Sequence, residues 1–174
     1  GVTIIMQKVN RILILLFVLI SCVGCDQATK MLARQHLATA PVQEYIGGLF
    51  RFVYAENTGA FLSLGANLPA TARFWIFVVI AALLLVGVAI FALQFSQRTP
   101  WPVVIALALI LGGGLGNLID RMLYDGRVVD FMQVGLPRLR TGVFNVADMA
   151  LMAGMAIMLL TTLRNSQHEE PKPL

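Results

Sequence analysis

Four long apolar stretches dominate the chain, with polar residues gathered at their ends. They run from Arg11 to Lys30, Phe74 to Phe95, Trp101 to Ile119 and Val146 to Leu163. A helix rises 1.5 Å per residue and needs about 20 apolar residues to cross the hydrocarbon of a bilayer. The pattern therefore predicts four transmembrane helices in a single integral membrane domain spanning 1–174, with a polar tail at 164–174. Only a tight turn, Gln97 to Pro100, separates the second and third stretches, so those helices are expected to be antiparallel neighbours. The connections 31–73 and 120–145 are long, and alternation of four spans puts both on the same side.

Within the first connection, Val42 to Ile46 and Leu49 to Tyr54 are strand-like, with Gly47 and Gly48 between them as a hairpin turn. Asn57 and Gly59 follow with turn chemistry in an apolar setting. The expectation is a mainly α membrane protein carrying a small β-sheet cradle and, from 120–145, an extramembrane loop on the same face.

Composition places this pattern in a membrane without ambiguity. Of 174 residues, 58% are hydrophobic and only 13% charged, with mean hydropathy +0.80; too little polar surface remains to coat a soluble globule. The net charge of +4 arises from scattered single Lys and Arg residues, with no basic run or recognition motif, so no nucleic acid is expected as partner. Residues 1–5, ahead of Met6, read as an added remnant or as an upstream start. Charge leaves orientation open. Lys8, Arg11, Arg98, Arg164 and Lys172 lie at the termini and short turn, against eight basic residues in the long connections and their edges. The positive-inside rule thus favours cytoplasmic long loops, while the basic start before the first span favours cytoplasmic termini.

Against this background the acids stand out. A carboxylate at membrane depth costs ~2.5 kcal/mol or more unless compensated, so each is a functional candidate. Asp26 near the exit of the first span, Asp120 at the exit of the third and Asp148 at the entry of the fourth converge on one membrane face, joined by Asp130 from the second connection. Asp26 is expected ~6 to 8 Å below the helix end. Each also has a structural reading. Asp26 and Lys30 are an i, i+4 pair, and Asn145 and Asp148 have N-cap and N3 spacing. Asn117, Asp120 and Arg121 can clamp helix to loop, and the glycines at 112, 113, 114 and 116 can serve close packing.

Other chemistries lack their residues. Cys22 and Cys25 form a CxxC inside an apolar helix, where small hydrophobes are expected. His36 and His168 have no HExxH context, so no metal site is expected; no GxSxG elbow occurs, and no cofactor is expected. Two carboxylates sharing a water remain. Proximity keeps one protonated while the other takes a proton from water, and neighbouring asparagines can hold both without titrating. By position alone Asp120, anchored on a helix, ranks above Asp130 as a member of such a pair.

The blocks DQATK from Asp26, NTGAF from Asn57, GGLGNLIDR from Gly113, VVDF from Val128 and FNVAD from Phe144 resemble, in order, the five blocks of bacterial lipoprotein signal peptidase (signal peptidase II). The likeness covers Arg11 to Leu163. It implies an aspartyl peptidase of the bacterial inner membrane with cytoplasmic termini and a periplasmic active site, acting as a monomer on lipid-modified prolipoproteins amid membrane lipid and cutting before the lipidated cysteine. It assigns catalysis to Asp130 and Asp148, which moves Asp130 above Asp120. Supporting or substrate-binding roles fall to Asp26, Lys30, Asn57, Gly59, Asn117, Asp120, Arg121 and Asn145. Two departures occur: NTGAFLSLG has its aromatic one position earlier than the common family form, and an extra residue sits around Tyr124 to Gly126.

Two other readings compete. Leu19-Ile20-Ser21-Cys22 satisfies a lipobox, which would make the chain a precursor and not a peptidase, although three further spans are foreign to anchored lipoproteins. A small transporter or channel subunit could use the same acids for protons or cations, but would be expected to line its spans with polar groups along their length.

Overall fold

The computed structural model describes the backbone of residues 2–60, 64–94, 99–136 and 138–168, with side chains for 5–60, 64–94, 99–136 and 138–164. Four helices are long and apolar enough to cross a membrane. They are α1 (Val2–Leu37), α2 (Ala70–Leu93), α3 (Trp101–Leu123) and α4 (Val146–His168). A four-stranded antiparallel sheet, in the order β1-β2-β3-β4, accompanies them: β1 (Gln43–Tyr45), β2 (Phe50–Asn57), β3 (Val128–Leu136) and β4 (Leu139–Arg140). This is a mainly helical membrane protein with a small sheet.

Helix α3 is the centre of the bundle. Val104, Ala106, Leu107, Ala108, Leu111, Gly112, Gly113 and Gly116 are buried, whereas Phe17 and Ile20 of α1, Leu83 and Leu84 of α2 and Leu160 of α4 are more than half exposed, as lipid-facing residues are. Apolar exteriors give helices no solvent-driven reason to associate in lipid, so packing relies on small residues that admit close backbones. A side chain at Gly112 would come within 2.8 Å of Cys22 Cβ on α1, and one at Gly114 within 2.5 Å of Leu85 on α2. Cys22 therefore acts as a small packing residue, and the lipobox of which it is part lies within α1. At the opposite end, Arg11 donates from Nε and Nη2 to Thr99 O at 3.2 and 3.0 Å and stacks on Trp101. Of the expected turn at Gln97 to Pro100, residues 97 and 98 lie outside the described residues. Helix α2 contains a π-helical turn, Trp75–Ile80.

The sheet departs from expectation in an informative way. The β1–β2 hairpin forms with Tyr45 opposite Phe50, and Ile46, Gly47 and Gly48 adopt positive φ between them. Its neighbour is the segment expected as a loop: β3 pairs with β2 along most of its length, Ala55 opposite Asp130 and Asn57 opposite Val128. Val128 to Leu136 is a nearly continuous apolar run, the signature of a strand covered on both faces. Helix α3 also continues to Leu123, past Ile119, before Asp125 and Gly126, both at positive φ, turn the chain into β3. Helix α1 likewise runs to Leu37 instead of ending near Lys30. Asp26 therefore lies about 16 Å below its end, not the expected 6 to 8 Å. The added turns have a use: Ala33 and Leu37 pack against Phe52, Val129, Phe131 and Met132, seating the sheet on the helix.

Candidate active site

Where α1, α3, the sheet and the start of α4 meet, the ten residues expected at a site form one connected network. Asn145 and Asp148 begin α4 as a reciprocal cap. Asp148 N donates to Asn145 Oδ1 at 2.9 Å, and Asn145 N to Asp148 Oδ2 at 3.2 Å. The free amide of Asn145 reaches across to β3, donating to Asp130 Oδ1 at 2.6 Å. A single asparagine thus holds both acids, one through its backbone and one through its side chain.

The remaining oxygens of the pair are also fixed. Asn117 Nδ2 donates to Asp148 Oδ1 at 2.9 Å, and Asn57 Nδ2 to Asp130 Oδ2 at 3.0 Å. Asn57, at the end of β2, is itself locked by donating to Ala60 O and accepting from Gly59 N. Arg121 Nη2 closes the loop by donating to Gly59 O at 2.7 Å, and its guanidinium faces the Phe77 ring. Residues 61–63, within the altered NTGAFLSLG segment, lie outside the described residues.

Beneath the pair lies a layer of compensated charge. Lys30 Nζ sits 2.7 Å from Asp26 Oδ2 and 3.3 Å from Asp120 Oδ2, and donates to Asn117 Oδ1 at 2.9 Å. Asp26 Oδ1 accepts Ala147 N of α4 at 2.9 Å, and Asp120 Oδ2 accepts Val129 N of β3 at 3.1 Å. Each of these acids therefore tethers an element that carries a member of the pair, Asp26 the start of α4 and Asp120 the start of β3. Gly116 is needed because a Cβ there would lie 2.6 Å from Asp26 Oδ2.

Two participants were not foreseen. Gln27 Nε2 donates to Asp120 Oδ1 at 2.9 Å and to Gly116 O at 3.2 Å, and Arg34 approaches Asp120 to 3.9 Å while stacking on Tyr124. Their signal was present in the sequence: Asp26, Gln27, Lys30 and Arg34 form a polar stripe at helical spacing on the otherwise apolar α1.

Asp130 is 2% exposed. Burial pushes its carboxyl up to about 7, the Asn57 hydrogen bond pulling down and the nearby Asp148 pushing up. Of nine buried polar or charged side chains among the described residues, Arg11 alone lies outside this network. Among those residues, no three His, Cys, Asp or Glu side chains come close enough to hold a metal ion. A cleft of about 380 Å³, bordered by Arg73, Phe77, Met122 and Asp125, opens against Arg121, and an apolar groove of about 390 Å³ runs between α1, α2 and α3.

Residues 18–164 match the family model described as signal peptidase (SPase) II. The chain belongs to this family. Curated relatives include the lipoprotein signal peptidase of Geobacter sulfurreducens, 36% identical over 84% of this chain and 89% of that protein. The lipoprotein signal peptidase of Xylella fastidiosa strain M12 is 35% identical over 92% of this chain and 95% of that protein. A solved bacterial membrane enzyme superimposes with TM-score 0.75 at 26% identity, covering 95% of this chain and 94% of the other. A second aligns with TM-score 0.69, also at 26% identity, covering 88% and 92%. As a signal peptidase II, the protein is a multi-pass bacterial membrane peptidase of the aspartyl class that removes signal peptides from lipoprotein precursors. That membership sets aside the precursor and transporter readings.

Proposed function

We propose that this signal peptidase II cuts diacylglyceryl-modified prolipoproteins before the lipidated cysteine, with Asp130 and Asp148 as the catalytic pair. The observation that carries this reading is Asn145, whose two donors hold the two carboxylates from different elements about one small volume. A water placed between them loses a proton to the ionised acid while its oxygen attacks the scissile carbonyl. The neutral acid donates to the carbonyl oxygen. Collapse of the tetrahedral adduct breaks the C–N bond, and the abstracted proton passes to the leaving amine of the cysteine. Neither metal nor covalent intermediate is required.

The supporting residues then divide by what they touch. Asn57, Asn117 and Asn145 orient the acids without titrating, and Asp26, Lys30 and Asp120 hold the elements bearing them. Arg121 borders the cleft, where it is placed to meet the substrate backbone, and Gly59 holds it through its carbonyl. The acyl chains and the apolar signal helix remain in the bilayer along α1, α2 and α3, and the protein acts as a monomer. Cleavage of a lipid-modified prolipoprotein in detergent tests the assignment. Asp130→Asn and Asp148→Asn are each expected to lower turnover by at least about 10³-fold, since both members act as a unit, while each variant still folds and melts cooperatively. Near-normal turnover in either variant rejects the pair.

A further inference from the structure

Lys30 touches neither acid of the proposed pair, yet its surroundings make it more than a brace. An ammonium has three donors and no acceptor, so Lys30 obliges Asn117 to present its oxygen, and the amide NH₂ of Asn117 is thereby directed at Asp148. Asn145 Nδ2 donates to the same oxygen at 3.1 Å, so the charge on α1 and the cap of α4 together fix the orientation of Asn117.

The charges of the cluster also fit together. Lys30 and Arg34 from α1 and Arg121 from α3 supply three cations; Asp26 from α1, Asp120 from α3, Asp130 from β3 and Asp148 from α4 supply four carboxyls. These are the charged groups of the cluster, and the Cys22 thiol of α1 lies within electrostatic reach of Asp26 and Lys30; Lys30 and Asp26 are within reach of Asp148, and Arg121 lies within reach of both acids of the pair. Three cations against four carboxyls leave the cluster neutral when one carboxyl holds a proton, the state a two-acid hydrolysis requires. Uncompensated charge in a buried, low-dielectric cluster is expensive, so this count favours a single shared proton.

Resting on the two-acid reading above, we infer that Lys30 is a positioning residue that sets the protonation of the pair, holding one proton on it and keeping Asp148 ionised as the base with Asp130 as the neutral acid. The location of Asp148 favours the same assignment. Each acid accepts two N–H groups, but Asp148 sits in the first turn of α4, where the helix dipole favours an anion. Asp130 lies on a strand, without a dipole, buried and pushed up to about 7.

Profiles of kcat/KM against pH on a lipid-modified prolipoprotein test this with paired variants. Removing the cation in Lys30→Met makes the anionic pair costlier, so the bell is expected to move up by about one pH unit, with KM changed less than about threefold. Asp26→Asn removes an anion and is expected to move it down by a comparable amount. The double variant restores neutrality and is expected to lie within about half a unit of the parent. A Lys30→Met bell that is lower but unmoved indicates a purely structural lysine and overturns the inference, as does a double variant displaced as far as the single. Should Lys30→Met fail to fold, an unmoved Asp26→Asn bell has the same force. These failures are distinct from failure of the pair itself, which shows as turnover surviving in Asp130→Asn or Asp148→Asn.

Discussion

At the scale of single residues, Asp130 shows how burial and hydrogen bonding divide the work. Its carboxyl would titrate near 3.8 in an exposed setting and is pushed up to about 7 by burial. Between those values the native protein binds a proton that the unfolded chain has released. By linkage, stability falls as pH rises through that window, by up to ~4 kcal/mol if the shift were fully expressed. The Asn variant carries no ionisable group there. Asp130→Asn is accordingly expected to melt higher than the parent at pH 8.5 in detergent, the advantage shrinking as pH falls from about 7 and vanishing near 3.8, where the carboxyl is protonated in the folded and unfolded chain alike. A constant difference across pH contradicts a buried, titrating Asp130. Nine of the ten network residues were visible in the sequence as polar intrusions beside apolar surroundings, and Gly59 through its turn chemistry. What it could not show was connectivity: Asn145 reads as a helix cap, which it is, and nothing in its spacing reveals that the same side chain reaches β3. Nor did spacing identify Lys30, adjacent to Asp26 at i+4, as also the partner of Asp120.

Elements show a similar division. The four helices were legible because a bilayer imposes length and hydropathy that no other environment does, and the β1–β2 hairpin because two glycines lie between its strands. Strand β3 was read as part of the long loop between two spans, while Val128 to Met132 is a run buried throughout. The helix ends were set short for a related reason: hydropathy marks where the apolar run stops, and α1 continues as a platform for the sheet. The glycines of α3 make the packing testable. Gly116→Ala places a methyl group 2.6 Å from Asp26 Oδ2. It is expected to disturb the bonds of Asp26 to Lys30 and Ala147, costing about 1–3 kcal/mol and more than about 10-fold in turnover. Gly87 on α2 has open space around its would-be Cβ, so Gly87→Ala is expected to leave turnover unchanged and to raise helix stability by roughly 0.5–1 kcal/mol. Equal behaviour of the two variants would show that contact with Asp26 is not what requires the glycine.

For the whole molecule the question is orientation, on which the count of basic residues and their placement before the first helix point in opposite directions. Eight of the thirteen Lys and Arg residues lie on the sheet side or its edges, which by count favours a cytoplasmic sheet. Several of these, however, serve the fold: Lys30 and Arg34 pair with Asp120, Arg51 with Glu44 and Arg127 with Glu56. Residues retained for such pairs say little about which side they occupy, whereas the basic start before α1 acts when the first helix inserts, and that helix usually dominates. The proposed chemistry also favours an external site, since a precursor anchored by its acyl chains presents its scissile bond at the outer interface once exported. Single cysteines in a background lacking Cys22 and Cys25 decide the matter. Ile46→Cys at the hairpin tip, where the native residue is 79% exposed, is expected to react with a membrane-impermeant maleimide in spheroplasts. Gln7→Cys, exposed at the start of α1, is expected to react only after permeabilisation. The reverse pattern would put the sheet and the acids in the cytoplasm, where an exported lipoprotein precursor could not reach them.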